Sequence, residues 1–155
     1  MNDIHTGTIS ITGLADLEKR LQELPDKLAR NVLRGAVRAG AVVIQKEARS
    51  MAPVSAEAHY LGKGSKRVEI QPGSLKRGIK VRMAPRKSRT SPIEYWVYIS
   101  KKLWYWKFLE FGTSKMAGSP FMRPAFESMR ESAVERLREY LAARIDKEAA
   151  KRGTT

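Results

Sequence analysis

Apolar residues recur along this chain with two different periods. Thr8-Ile9-Ser10-Ile11-Thr12 alternates every second residue and stops at Gly13, which predicts a short strand. From there the spacing changes. Leu14, Leu17, Leu21, Leu24 and Leu28 follow at intervals of three and four, the stripe of an amphipathic helix. Pro25 divides it, because a proline disfavours helical backbone at Leu24 yet suits the first position of a new helix. The pattern predicts a short helix over 14–23 and a long one from 25 to about 51. Leu28, Val32, Ala36, Ala39 and Val43 turn inward, and Arg30, Arg34, Arg38 and Lys46 outward. Gly35, Ala36, Ala39, Gly40 and Ala41 make the middle thin enough for another helix or a sheet to come close. Pro53 ends it.

Residues 55–76 contain three glycines, Pro72 and several lysines and read as an exposed loop, with Val68-Glu69-Ile70 as a brief strand inside it. Ile79 to Met83 alternates cleanly as a strand, and 93–100, rich in β-branched and aromatic residues, is its antiparallel partner. The basic stretch 84–92 between them reads as a mobile turn. Leu103 to Phe111 is the most apolar window and predicts a single helical turn closed by Gly112, which turns the chain through positive φ. Pro124 is expected to open the last helix at its first position. Phe126, Met129, Ala133, Leu137, Tyr140, Leu141 and Ile145 then follow one face to about residue 150. The fold class is α+β: one domain over 1–155, a small antiparallel sheet packed against two long amphipathic helices, one N-terminal and one C-terminal.

Composition narrows the function. The chain has 155 residues, 42% of them hydrophobic, enough to bury a core. It contains no cysteine, which removes disulfides, thiolate metal sites and thiol nucleophiles. No apolar run approaches the ~18 residues needed to cross a bilayer, and the N-terminus lacks the basic start and apolar run of a signal peptide. These features predict a soluble protein kept inside the cell, with no membrane role. The formal net charge is +14, and it is local. Residues 61–119 carry 14 basic and 3 acidic side chains, whereas 1–60 and 120–155 are close to neutral. Such a field attracts an acidic partner, either phosphate backbone or an acidic protein surface.

Catalytic groups are sparse. His5 and His59 stand far apart and in no metal-ligand spacing. Gly62-Lys63-Gly64-Ser65-Lys66 lacks the glycine spacing of a phosphate loop. Glu110, among Phe108, Leu109 and Phe111, could carry a raised pKa and act as acid or base; with no second carboxylate or histidine near it in sequence, a structural role is favoured. No cofactor is implied. Tyr95, Trp96, Tyr98, Trp104, Tyr105 and Trp106, interleaved with Lys101, Lys102 and Lys107, could stack and neutralise nucleic acid. The run is dense enough that rings buried in the core or an interface are the favoured reading.

Four segments taken in order point to a family. Met51-Ala52-Pro53-Val54 closes a long helix; Gly73-Ser74-Leu75-Lys76-Arg77-Gly78-Ile79 follows; then Trp104-Tyr105-Trp106-Lys107-Phe108-Leu109-Glu110-Phe111-Gly112-Thr113; then Pro120-Phe121-Met122-Arg123-Pro124-Ala125-Phe126. Over about residues 10–145 this resembles the neck, or tail-completion, proteins of long-tailed bacteriophages, which are similar to the lambda-type minor tail protein Z. The residues carrying the resemblance are Pro53, Gly73, Leu75, Ile79, Tyr105, Leu109, Glu110, Phe111, Gly112, Thr113, Pro120, Phe121, Arg123, Pro124 and Ala125. Two departures stand out: an apparent basic insertion over 54–72, and Trp106 where the family prefers a small residue.

The resemblance implies a non-enzymatic virion protein at the head–tail junction, forming a homo-oligomeric ring. Its partners would be adjoining neck and tail proteins of the head-completion and tail-terminator type, with assembly in the host cytoplasm. Candidate contacts to an acidic partner, or to packaged DNA, are Lys63, Lys66, Arg67, Lys76, Arg77, Arg86, Lys87, Arg89, Lys101 and Lys102. An acidic protein partner is favoured, because a passing duplex should not be gripped by ~10 salt-sensitive phosphate contacts. The alternative is a nucleic-acid-binding module using the basic and aromatic side chains of 61–119.

Overall fold

Two helices set the frame of the computed structural model, which describes residues 14–86, 88 and 91–152. Helix α2 (Asp26–Met51) and helix α5 (Met122–Arg152) run antiparallel along one another, with the short α1 (Leu14–Gln22) laid against their far end. The predicted strand at Thr8–Thr12 lies outside the described residues.

Close approach of the long helices depends on small residues. A Cβ on Gly40 would meet the Ala133 carbonyl oxygen at 2.7 Å, and one on Gly35 would strike the Tyr140 ring. The thin middle read from the sequence is therefore the seam of the helix pair. It also decides which face of α5 turns inward. Ala125 and Ala133 are buried against α2, and Phe126, expected on that face, is 55% exposed. A phenyl ring at position 125 or 133 would hold the helices apart, so the register selects the alanines and rotates Phe126 outward.

The apolar residues gather into two clusters. One joins Leu17 and Leu24 to Val32, Ala36, Leu141 and Ile145 at the α1 end. The other, around Ile79, Phe121 and Ala125, lies where the strands meet the helix pair. There β3 (Ile79–Met83) and β4 (Tyr95–Ile99) form an antiparallel ribbon, Ile79 opposite Ile99 and Met83 opposite Tyr95, packed on α2. Gln45 and Arg49 of α2 both donate to the Ile79 carbonyl at 2.8 Å, which pins the ribbon's first residue to the helix.

Residues 55–76 are more ordered than the loop their composition predicts. β1 (His59–Leu61) pairs antiparallel with β2 (Val68–Ile70), and α3 (Ser74–Gly78) follows, burying Leu75. β2 is the brief strand read at Val68–Ile70, and β1, not read from the sequence, pairs with it. They are held by burial of Ile70 in the main cluster. The predicted helical turn is α4 (Trp106–Phe111), closed by Gly112 at φ 75°.

Candidate assembly site

The segment after α4 is built around one carboxylate. Glu110 is only 8% exposed. Its Oε2 accepts the backbone N–H of Phe121 at 2.8 Å and of Met122 at 3.0 Å, and its Oε1 accepts that of Arg123 at 3.0 Å. These are the first N–H groups of α5, which no carbonyl within the helix can reach. The next residue is Pro124, which has no N–H to satisfy. The sequence places Pro124 at the first helical position, but α5 begins two residues earlier, at Met122. Proline is tolerated there for the same reason as at the first position, since the whole opening turn lacks intrahelical acceptors for its donors. Glu110 and Pro124 together thus account for the open donors of the helix, and the negative charge sits at the positive end of its dipole.

This arrangement reverses the expected titration of Glu110. Burial favours the neutral acid, but the three N–H donors and the charge of Arg123 outweigh it and hold the pKa below the ordinary glutamate value. A carboxylate held ionised at neutral pH by three backbone donors is a structural cap and a poor proton donor. At Tyr105, which is half-buried, desolvation alone pushes the phenol up.

The loop between the two motifs is equally tight. Thr113 and Met116 exchange backbone hydrogen bonds, and Ser119 donates to the Leu109 carbonyl at 2.7 Å. A Cβ on Gly112 would meet the Gly118 nitrogen at 2.7 Å, and one on Gly118 would meet the Gly112 nitrogen at 2.9 Å. Gly118 and the cap formed by Glu110 both escape a reading of the sequence. The only hint is a carboxylate set in an apolar window eleven residues before Phe121.

The other motif residues divide between core and surface. Leu75, Ile79, Phe121 and Ala125 are buried, with Phe121 at 1% exposure, and Tyr105 and Leu109 pack against them. Gly73 precedes α3 at φ 72°. Pro53, Thr113, Pro120, Arg123 and Phe111 are exposed, the last by 70%. Around them Trp104, Phe108 and Met116 also stand in solvent, Trp104 meeting Phe108 edge to face at 5.7 Å. Pro53, Leu61, Leu75, Tyr105, Phe108 and Met116 line an apolar groove of about 410 Å³ between the β1–β2 hairpin and α4.

The described basic candidates have different surroundings. Lys63 and Lys102, far apart in sequence, come together around Trp104 on one hollow, and Lys101 is exposed beside Lys102. Arg67 lies over the Tyr60 ring at 4.2 Å. Lys76 is half-buried at the end of α3. Arg77 donates to the Pro72 carbonyl and Arg86 to the Ser91 carbonyl, so both hold local turns. Lys87, Arg89 and the Lys66 side chain lie outside the described residues.

A basic surface not singled out in the sequence is the outer face of the β3–β4 ribbon. Cross-strand pairing sets Lys80 beside Tyr98 and Arg82 beside Trp96, and the Arg82 guanidinium lies 5.2 Å from both ring centres. Period-two alternation places these four on one face, but only the register makes them neighbours.

Among the described residues, no three His, Asp or Glu side chains converge as a metal site, and no helix is long and apolar enough to cross a membrane. No curated protein and no solved structure matches the chain. One family does match: the HK97-gp10-like family, described as "Bacteriophage HK97-gp10, putative tail-component", over residues 15–112. The match runs from α1 through the Glu-Phe-Gly segment and stops short of the Pro120–Ala125 element. Since it covers more than half of the chain, this protein belongs to the HK97-gp10-like family of bacteriophage tail components.

Proposed function

We propose that this chain is a non-catalytic subunit of a ring at the head–tail junction or upper tail of a long-tailed phage or prophage. The observation that carries the reading is the exposed apolar surface around α4, where Trp104, Phe108, Phe111 and Met116 stand 43–70% exposed. They sit on a segment whose backbone is locked by the Glu110 cap and the glycine contacts. Rigid aromatic side chains held in solvent are what a subunit contact needs, because little conformational entropy is lost when they are covered. Family membership supports the tail assignment.

In this reading the basic side chains on the hollow around Trp104 and on the ribbon face meet acidic surfaces of adjoining head-completion and tail-terminator rings. A second reading, contact with packaged DNA, draws on the ribbon face, where Arg82, Trp96 and Tyr98 offer both charge and stacking. Electron microscopy of particles assembled without this protein tests the proposal. Unjoined heads and tails, rescued by supplying the protein, are expected. Particles that join normally in its absence would overturn it. Oligonucleotide binding that weakens steeply with salt, with head–tail joining unaffected, would favour the second reading instead.

A further inference from the structure

The two long helices carry rows of charge that repeat at every fourth residue. On α2 the row is Arg30, Arg34 and Arg38, continued through Val42 to Lys46. On α5 it is Glu127, Glu131, Glu135 and Glu139. Nowhere else in the chain do three like charges follow one another at this spacing. The rows are opposite in sign.

Arg38, Val42 and Lys46 edge a cleft of about 260 Å³ along the α2–α5 seam, with Arg136 and Tyr140 of α5 on its other side. Arg38 and Lys46 are exposed and, among the described residues, form no ion pair. One turn before Arg38, the Arg34 Nε is buried with no hydrogen-bond partner. Arg136 is matched by Glu139 at 3.0 Å. The cleft is thus left with two uncompensated cations on its α2 edge.

The glutamate row is displayed on the outer side of α5. Glu131 and Glu135 are each two residues from Ala133, which is buried, so about 200° of helical rotation turns both away from α2. Glu127, Glu131 and Glu135 are exposed, and the small Ser128 and Ser132 beside them leave room for another molecule to approach. Among the described residues, Glu127 and Glu131 form no ion pair, and Glu135 meets only Arg138, at 3.4 Å. An exposed pair of that kind is weak enough to be exchanged for another.

The dimensions of row and cleft agree. Eight residues separate Glu127 from Glu135, and eight separate Arg38 from Lys46, about 12 Å of helix in each case. Rows of this period are also the ridges that interdigitate when two helices cross at about −50°.

We infer that the cleft receives the glutamate row of a second copy, with Glu127 and Glu135 meeting the cations at Arg38 and Lys46 and Glu131 lying over Val42. A row given to one neighbour and a cleft offered to the other form a heterologous contact, which closes into a ring when the rotation per subunit allows. The inference rests on the ring-forming reading above and adds a charged contact to the apolar one at α4.

Charge exchange tests it on the full chain. Self-association is followed by sedimentation velocity for Arg38→Glu/Lys46→Glu, for Glu127→Lys/Glu135→Lys and for their mixture, with circular dichroism checking that the helices are intact. Each double variant alone should associate at least ~10-fold more weakly, since two attractions become repulsions. The mixture should regain wild-type association, because every cleft then finds a row of opposite sign. As a second measurement, chain carrying Val42→Cys is mixed with chain carrying Glu131→Cys and oxidised; the protein has no cysteine of its own, and a disulfide joining two chains is expected. Double variants that assemble as wild type does, a mixture that stays dissociated, or the absence of that cross-link overturns this contact and leaves the ring reading standing. A cleft variant that associates normally but loses salt-sensitive oligonucleotide binding overturns it in favour of nucleic acid. A wild-type chain that does not self-associate at about 100 μM sinks both the contact and the ring.

Discussion

Replacing Glu110 by glutamine changes one atom type and tests the cap directly. The carboxylate accepts three backbone N–H groups through two oxygens. Glutamine offers a single acceptor oxygen and points an NH₂ group at the third donor. If its oxygen takes the place that serves Phe121 and Met122, the Arg123 N–H faces another donor. A hydrogen bond to a charged partner contributes about 1.5–3 kcal/mol, and a charge at a partly buried helix end up to about 2 kcal/mol. Allowing for overlap between the two, the expected loss is roughly 2–4 kcal/mol. At about 2–4 °C per kcal/mol for a chain of this size, the melting temperature falls by about 5–15 °C. The sign with pH follows from the lowered pKa. The unfolded state binds the Glu110 proton at a higher pH than the folded state does, so its contribution is present above the ordinary glutamate range. It is lost as pH falls through the lowered folded value. Thermal melts followed at 222 nm for both proteins, at neutral pH and in acid, measure both effects. The gap between wild type and Glu110→Gln should be widest at neutral pH and narrow in acid. A variant that melts within 1 °C of wild type at neutral pH, or a gap that widens in acid, would refute the argument.

Three further outcomes follow from the same geometry. Gly112→Ala places a Cβ 2.7 Å from the Gly118 nitrogen at a φ of 75°, and should cost about 1–3 kcal/mol in denaturant titration. Gly40→Val drives the α2–α5 seam apart at the Ala133 carbonyl; a melting temperature lowered by several degrees, from overpacking of about 1–3 kcal/mol, is expected, and a neutral result would mean the helices slide at no cost. Phe111→Ser, at a ring 70% exposed, should leave stability within about 0.5 kcal/mol while reducing incorporation into particles, scored by immunoblot of purified virions.

Much of the architecture could be read from periodicity alone. The leucine spacing of α1, the small residues of α2 and the alternation of β3 all mark elements that the structure contains, because each buries one face and repeats it. Of the β1–β2 hairpin only β2, at Val68–Ile70, was legible; its partner β1 was not, since a three-residue strand carries almost no period. Phe126 misled for a related reason: a phenylalanine on the helical stripe looks like core, but the close α2–α5 register buries Ala125 and Ala133 and leaves Phe126 55% exposed. The motif residues were visible as a set, and their division of labour was not. Nothing in Glu-Phe-Gly-Thr says that its glutamate caps a helix eleven residues away.

The charge of the chain followed the same course. The sequence established a basic centre, because charge is conserved however the chain folds, and an acidic partner is the expectation that follows from it. Where that charge points depended on the fold. Arg77 and Arg86 are drawn into local turns, Lys63 and Lys102 meet around Trp104, and Lys80 and Arg82 become neighbours of Trp96 and Tyr98 through strand register. Element type follows local spacing and so resides in the sequence. Burial, ionisation and the neighbours of a side chain depend on residues distant in the chain, and only the packed structure brings those together.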